Sequence, residues 1–140
     1  MALSMREHVS PIKKVGPGLQ LRSPEIIKIL QSHKFLVFYD GKFDDTPETV
    51  ADASQAMVVL GISMFTIHCD GGDAMMKAAK EAVDEAMNLP YVRQEGFLRP
   101  SVLGVLMLTS KSSDDLVQDG LINLNPDAPA RAYEEMFAEV

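Results

Sequence analysis

Tryptophan is absent from this 140-residue chain, and there is a single cysteine, Cys69. One thiol cannot close an intrachain disulfide, so the fold has to rest on packing, as in a reducing compartment. Long apolar runs are missing as well. None approaches the ~18 residues a membrane span requires, and no basic-then-apolar leader opens the chain. Basic residues are outnumbered, with 13 Lys and Arg against 20 Asp and Glu, a net charge of −7. Such a chain repels nucleic-acid phosphates and anionic lipid, which removes both as default partners. The expectation is a cytoplasmic protein with a small-molecule substrate, bound only where positive charge is locally concentrated.

What is present suits one compact domain. The apolar fraction is 46%, and nine methionines and six phenylalanines can fill a core without tryptophan. Residues 1–140 read as a single domain, with 1–11 as a loose lead-in. Ile12 to Gly16 is a short strand, and Pro17-Gly18 a break. Ser23-Pro24-Glu25 has the form of a helix start, with Ser as N-cap and Pro at the first helical position. Phe35 to Tyr39 is a continuous apolar run, the pattern of a parallel strand buried on both faces. Thr46-Pro47-Glu48 starts a second helix that runs to Gly61. Ser63 to His68 is a further strand, followed by a helix from about Asp73 to Met87. Asn88 to Pro100 reads as a long loop, Val102 to Leu108 as the next strand and Ala130 to Val140 as a last helix. Strand followed by helix, four times over, predicts βαβ units and a parallel sheet.

The polar residues that interrupt this pattern recur just past strand ends: Lys14, Asp40, Lys42, Asp45, His68, Thr109 and Ser110. In barrels and open α/β sheets the carboxyl ends of strands are where chemistry is placed. The sharpest cluster is Asp40-Gly41-Lys42-Phe43-Asp44-Asp45. A solvated turn with charge pairs would explain it as well as a site would. As a site, it supplies an ammonium held cationic by neighbouring carboxylates and able to act as a general acid. Lys14 gains interest because a parallel sheet can set it beside Asp40. His68-Cys69-Asp70 has no second ligand cluster at metal spacing, so His68 reads as a hydrogen-bonded residue at a strand end. Met75-Met76 reads as core.

These segments together resemble the orotidine 5′-phosphate decarboxylase family. Its hallmark Asp-x-Lys-x-x-Asp stands as Asp40, Lys42 and Asp45, followed by Thr46-Pro47-Glu48-Thr49. Lys14-Val15-Gly16 matches the family's Lys-Val-Gly. His68-Cys69-Asp70-Gly71-Gly72 with Met75-Met76 matches its His-Ala-Ser-Gly-Gly and following Met pair. Val105 to Ser110 matches its Val-Thr-Val-Leu-Thr-Ser.

The resemblance implies a (β/α)8 barrel of which this chain carries strands two to five, a truncated barrel. It implies decarboxylation of orotidine 5′-phosphate to UMP without metal or organic cofactor. Lys42 would protonate C6 of the pyrimidine, and Asp40 would sit against the substrate carboxylate. Lys14 and Asp45 would complete an alternating Lys–Asp network. In a homodimer, Asp45 and Thr49 would reach the neighbouring site, and Thr109 and Ser110 would lie at the substrate. Gly41, Asp44, Thr46 and Glu48 depart from the family pattern. The first-strand Asp that binds ribose and the late-strand Gln, Gly and Arg that grip phosphate have no counterpart, so the chain is expected to be incomplete for activity. Two other readings remain open. One is a magnesium-dependent 3-keto-gulonate-6-phosphate decarboxylase or hexulose-phosphate synthase, which would place Glu where Lys14 stands. The other is a non-catalytic barrel fragment.

Overall fold

A computed structural model describes residues 11–108, together with 110, 112 and 115. The chain divides into two compact units, 1–106 and 107–140. The first contains β1 (Ile12–Val15), α1 (Pro17–Arg22), α2 (Ile26–Ser32), β2 (Leu36–Phe43), α3 (Pro47–Val59), β3 (Met64–His68), α4 (Gly72–Ala86), α5 (Pro90–Glu95) and β4 (Ser101–Val105). The four strands form one parallel sheet in the order β1-β2-β3-β4. This is the α/β architecture that the alternation predicted. The lead-in expected at 1–11 falls, apart from Pro11, outside the described residues, as does the helix expected at 130–140. Among the described residues no helix is long and apolar enough to cross a membrane.

Alternation along the strands separates two faces. Val15, Val37, Tyr39, Phe65 and Ile67 are buried on one face, in a single core with Ile27, Val50, Met57, Val58, Met75, Ala79 and Val83 of the helices. Met75 is fully buried and Met76 packs beside it, as expected of core residues. On the other face Lys14, Phe38, Met64 and Ser101 stand in register across all four strands. That face carries no fully buried apolar side chain, and Leu103 on β4 is exposed. The two-faced burial expected of Phe35 to Tyr39 is therefore not seen among the described residues. Leu36 to Tyr39 alternates half-buried and buried.

Three local expectations are corrected. Pro17 opens α1 instead of breaking the chain, occupying a first-turn position where a missing N–H costs nothing. Ser23 consequently caps the C-terminus of α1, and α2 begins after Glu25. The loop expected at 88–100 contains α5, again started by Pro, at Pro90, and ended at Gly96, whose φ of 69° is a left-handed cap that glycine adopts without a Cβ clash. By contrast, α3 begins as read: Thr46 caps it by accepting a hydrogen bond from the Thr49 N–H, with Pro47 in its first turn.

The most consequential correction concerns β2. It does not stop at Tyr39 but continues through the charged motif to Phe43. Tyr39 pairs with Phe65 and Phe43 with Ile67, so Asp40, Gly41 and Lys42 together face Thr66 alone. This is an enlarged β-bulge. Parity is preserved across it: Tyr39 and Phe43 both turn to the helix side, their ring centroids 6.0 Å apart, and Phe43 is 5.8 Å from the Phe65 ring. Gly41 lies between them. A Cβ there would come within 2.7 Å of both the Tyr39 and Phe43 rings. Replacing Gly41 with Val is expected to destabilise the chain by about 1–3 kcal/mol through this overpacking. Urea denaturation followed by far-UV circular dichroism checks it, and an unchanged midpoint would show that the rings yield freely.

Candidate active site

The bulge places charge at the carboxyl end of the sheet. Asp40 and Lys42 are two apart on β2 and share a face, and Lys14 reaches the same point from the end of β1. The Lys14 Nζ lies 2.6 Å from Asp40 Oδ2. The Lys42 Nζ lies 2.7 Å from the same oxygen. The other oxygen, Oδ1, accepts a hydrogen bond of 3.1 Å from the Thr66 hydroxyl. The Thr66 Oγ1 in turn accepts from the Lys42 backbone N–H at 2.9 Å. The Asp40 side chain is only 10% exposed, against 63% for Lys14 and 38% for Lys42. A nearly buried carboxylate is thus held by two ammonium groups that still meet solvent.

Lys42 is also one of two non-glycine residues with positive φ among those described, at 48°. A left-handed lysine costs of order 1 kcal/mol. Here it is held by a backbone hydrogen bond to a neighbouring strand and by a side-chain bond to Asp40. Strain of this kind persists where surrounding contacts over-determine the conformation.

The hydrogen bonds from Lys14 and Lys42, against the opposing effect of burial, hold the Asp40 carboxyl down at about 2. Hydrogen bonding to the charged form outweighs desolvation here.

The remaining expected residues are distributed as follows. Asp45 is exposed just beyond β2 and accepts a 2.7 Å hydrogen bond from the Thr46 N–H. Thr49 is exposed in the first turn of α3, its hydroxyl 3.1 Å from that of Thr46. Neither is hydrogen-bonded to the Lys14–Asp40–Lys42 cluster. His68 ends β3 as read, with its Nδ1 3.2 Å from Asp70 Oδ1. Thr109 lies outside the described residues, and Ser110 belongs to the second unit. A cleft of about 340 Å³, bounded in part by Gln31, Lys34, Phe35 and Phe97, opens at the amino ends of the strands. It is at the opposite end of β2 from Asp40 and holds none of this chemistry.

Thr66 was not singled out from sequence. A signal was there: Phe65 and Ile67 alternate with Thr66 and His68, which puts the two polar side chains on one face.

A model of the orotidine 5′-phosphate decarboxylase / HUMPS family matches residues 7–135. The chain belongs to that family. It is similar to orotidine 5′-phosphate decarboxylase of Shewanella sediminis, at 38% identity over 91% of this chain and 49% of that protein. Among solved structures it resembles an uncharacterised conserved protein of Geobacillus kaustophilus, with a TM-score of 0.67 at 30% identity over 87% of this chain and 53% of that one. It also resembles orotidine 5′-phosphate decarboxylase of Lactobacillus acidophilus, with a TM-score of 0.64 at 33% identity over 79% and 47%. The chain spans about half the length of the curated relatives it matches. The four-stranded parallel sheet of the described residues accordingly corresponds to part of the family's barrel fold.

The electrostatics give a testable acid limb. A carboxyl whose folded value is depressed stabilises the fold above its unfolded value and loses that contribution as pH falls through the folded one. For Asp40 the loss runs from about pH 4 down to about pH 2. It amounts to about 1–2 kcal/mol once solvent screening of the two exposed ammonium groups is allowed for. Stability measured between pH 5 and 2 should show this limb, and Asp40→Asn should remove it while lowering stability at pH 7. A wild-type acid limb that is unaltered in Asp40→Asn would refute the assignment.

Proposed function

We propose that this chain supplies the reacting-centre strands of an orotidine 5′-phosphate decarboxylase, a carboxy-lyase of UMP biosynthesis. The observation that carries the reading is the Asp40 carboxylate clamped between Lys14 and Lys42 at the strand ends. The membership of the family and the relatives named above support it. The substrate carboxylate would lie against Asp40. The C6–carboxylate bond breaks heterolytically, carbon dioxide departs, and the electron pair left on C6 takes a proton from the Lys42 ammonium. Solvent returns that proton to Lys42, which is 38% exposed. Fixed ammonium groups oppose the charge that develops on carbon, so the chemistry asks for no metal or organic cofactor.

The other assignments belong to the same proposal. Lys14 keeps Asp40 ionised and lies at the substrate. Thr109 and Ser110 contact the pyrimidine or its surroundings. Asp45 and Thr49, which hydrogen-bond Thr46, would serve the neighbouring site in a cytoplasmic homodimer. A magnesium-dependent sugar-phosphate reaction is disfavoured because the Lys14 ammonium already sits 2.6 Å from the Asp40 oxygen that a cation would need.

The 140-residue chain is expected to turn over little orotidine 5′-phosphate, because binding energy from the non-reacting phosphate drives such catalysis. Completing the barrel with the first strand and C-terminal half of a relative should raise activity, followed as the fall in substrate ultraviolet absorbance. In that completed barrel Lys42→Ala should cost at least about 10³-fold, as expected for loss of a proton donor, and EDTA should cost nothing. Activity surviving Lys42→Ala would refute the mechanism. Loss to EDTA with recovery by magnesium would favour the sugar-phosphate reaction instead.

A further inference from the structure

Thr66 makes two hydrogen bonds through one hydroxyl, and both end on residues of the reacting cluster. Its oxygen accepts from the backbone N–H of Lys42 at 2.9 Å, and its proton goes to Asp40 Oδ1 at 3.1 Å. Thr66 is 5% exposed, so solvent offers little substitute for either bond. We propose that Thr66 is a positioning residue for the Lys42–Asp40 pair, its hydroxyl replacing the strand ladder inside the bulge and fixing which carboxylate oxygen receives the ammonium groups. The inference rests on the decarboxylase reading for its catalytic meaning, though not for its geometry.

Three residues of β2 face Thr66 alone, so one β3 residue cannot satisfy the bulge by ordinary backbone pairing. A hydroxyl, being both donor and acceptor, meets two needs at once. The first is the N–H of Lys42, whose φ of 48° requires an outside restraint. The second is Asp40, where both ammonium groups converge on Oδ2. A carboxylate with one oxygen doubly engaged and the other empty could rotate and exchange them. The Thr66 proton on Oδ1 gives the group a third anchor and removes that freedom. The direction of the Lys42 side chain then follows from both ends, its backbone held by Thr66 and its ammonium by the oriented Asp40. Thr66 touches no reacting atom in this scheme and acts only through these two residues.

Hydroxyl and shape can be separated by substitution. Thr66→Val keeps the branched shape and loses the hydroxyl. Thr66→Ser keeps the hydroxyl and loses the methyl. Thr66→Ala is a second hydroxyl-free variant should the valine protein fold poorly. In the 140-residue chain, two nuclear magnetic resonance signals report directly: the carboxyl titration of Asp40 and hydrogen exchange of the Lys42 amide. In the valine and alanine proteins the Asp40 midpoint should rise, and Lys42 exchange should quicken by about tenfold or more, as for loss of one buried hydrogen bond. The serine protein should match wild type in both. In the completed barrel the valine substitution should lower kcat with KM nearly kept, and serine should restore it. Hydroxyl-free variants that match wild type, or a serine variant as impaired as valine, would overturn the role. Absence of orotidine 5′-phosphate turnover in the completed wild-type barrel would defeat the decarboxylase reading. The two magnetic-resonance signals would still decide whether Thr66 holds Asp40 and Lys42.

Discussion

The site depends on one carboxylate. Asp40 is nearly buried, and burial works against its charge. Two ammonium groups and a hydroxyl donate to it and outweigh that cost, holding the carboxyl well below its ordinary range. The arrangement is asymmetric in a way that matters for chemistry. The negative charge is held inside while both positive charges remain at the surface, where they can meet an anionic ligand or exchange a proton with water. An overall charge of −7 makes that local excess of positive charge all the more a property of this corner of the sheet.

How far this was readable in advance differed from residue to residue. Asp40 and Lys42 were legible because they come directly after the apolar run Phe35 to Tyr39, and Lys14 because the parallel topology sets it beside them at the same end. The extent of β2 was not legible, since a charged run after Tyr39 looks the same whether it turns into solvent or continues beside another strand. Pro17 and Pro90 misled for a related reason. Proline breaks a helix interior but opens a helix readily, and only the following residues' packing tells which applies. Thr66 lay hidden among apolar neighbours because its importance comes from what faces it across the sheet. Asp45 and Thr49 are a different case. Their positions are described, but the roles expected of them involve a second chain.

The relatives sharpen what the sheet means. Proteins of about twice the span share this portion at 38% identity in one case and with a TM-score of 0.64 in another. The shared portion includes the Lys14–Asp40–Lys42 cluster of this chain. Its open face, with Phe38 and Met64 half-buried and Leu103 exposed, is the counterpart of a barrel interior that has not been closed among the described residues. The cluster sits at the strand ends, where barrel folds place their functional groups.

The bulge in β2 adds two residues where the neighbouring strand has none. Two is the smallest insertion that keeps strand parity. One extra residue would turn Phe43 out of the aromatic row and invert every position after it. Two leave that row untouched and add one more side chain to the open face. The familiar spacing of aspartate and lysine two apart is therefore more than a convenient distance. It doubles the density of charged groups along a short stretch of sheet edge, so that acid and base partners share a space in which regular pleating would seat a single side chain.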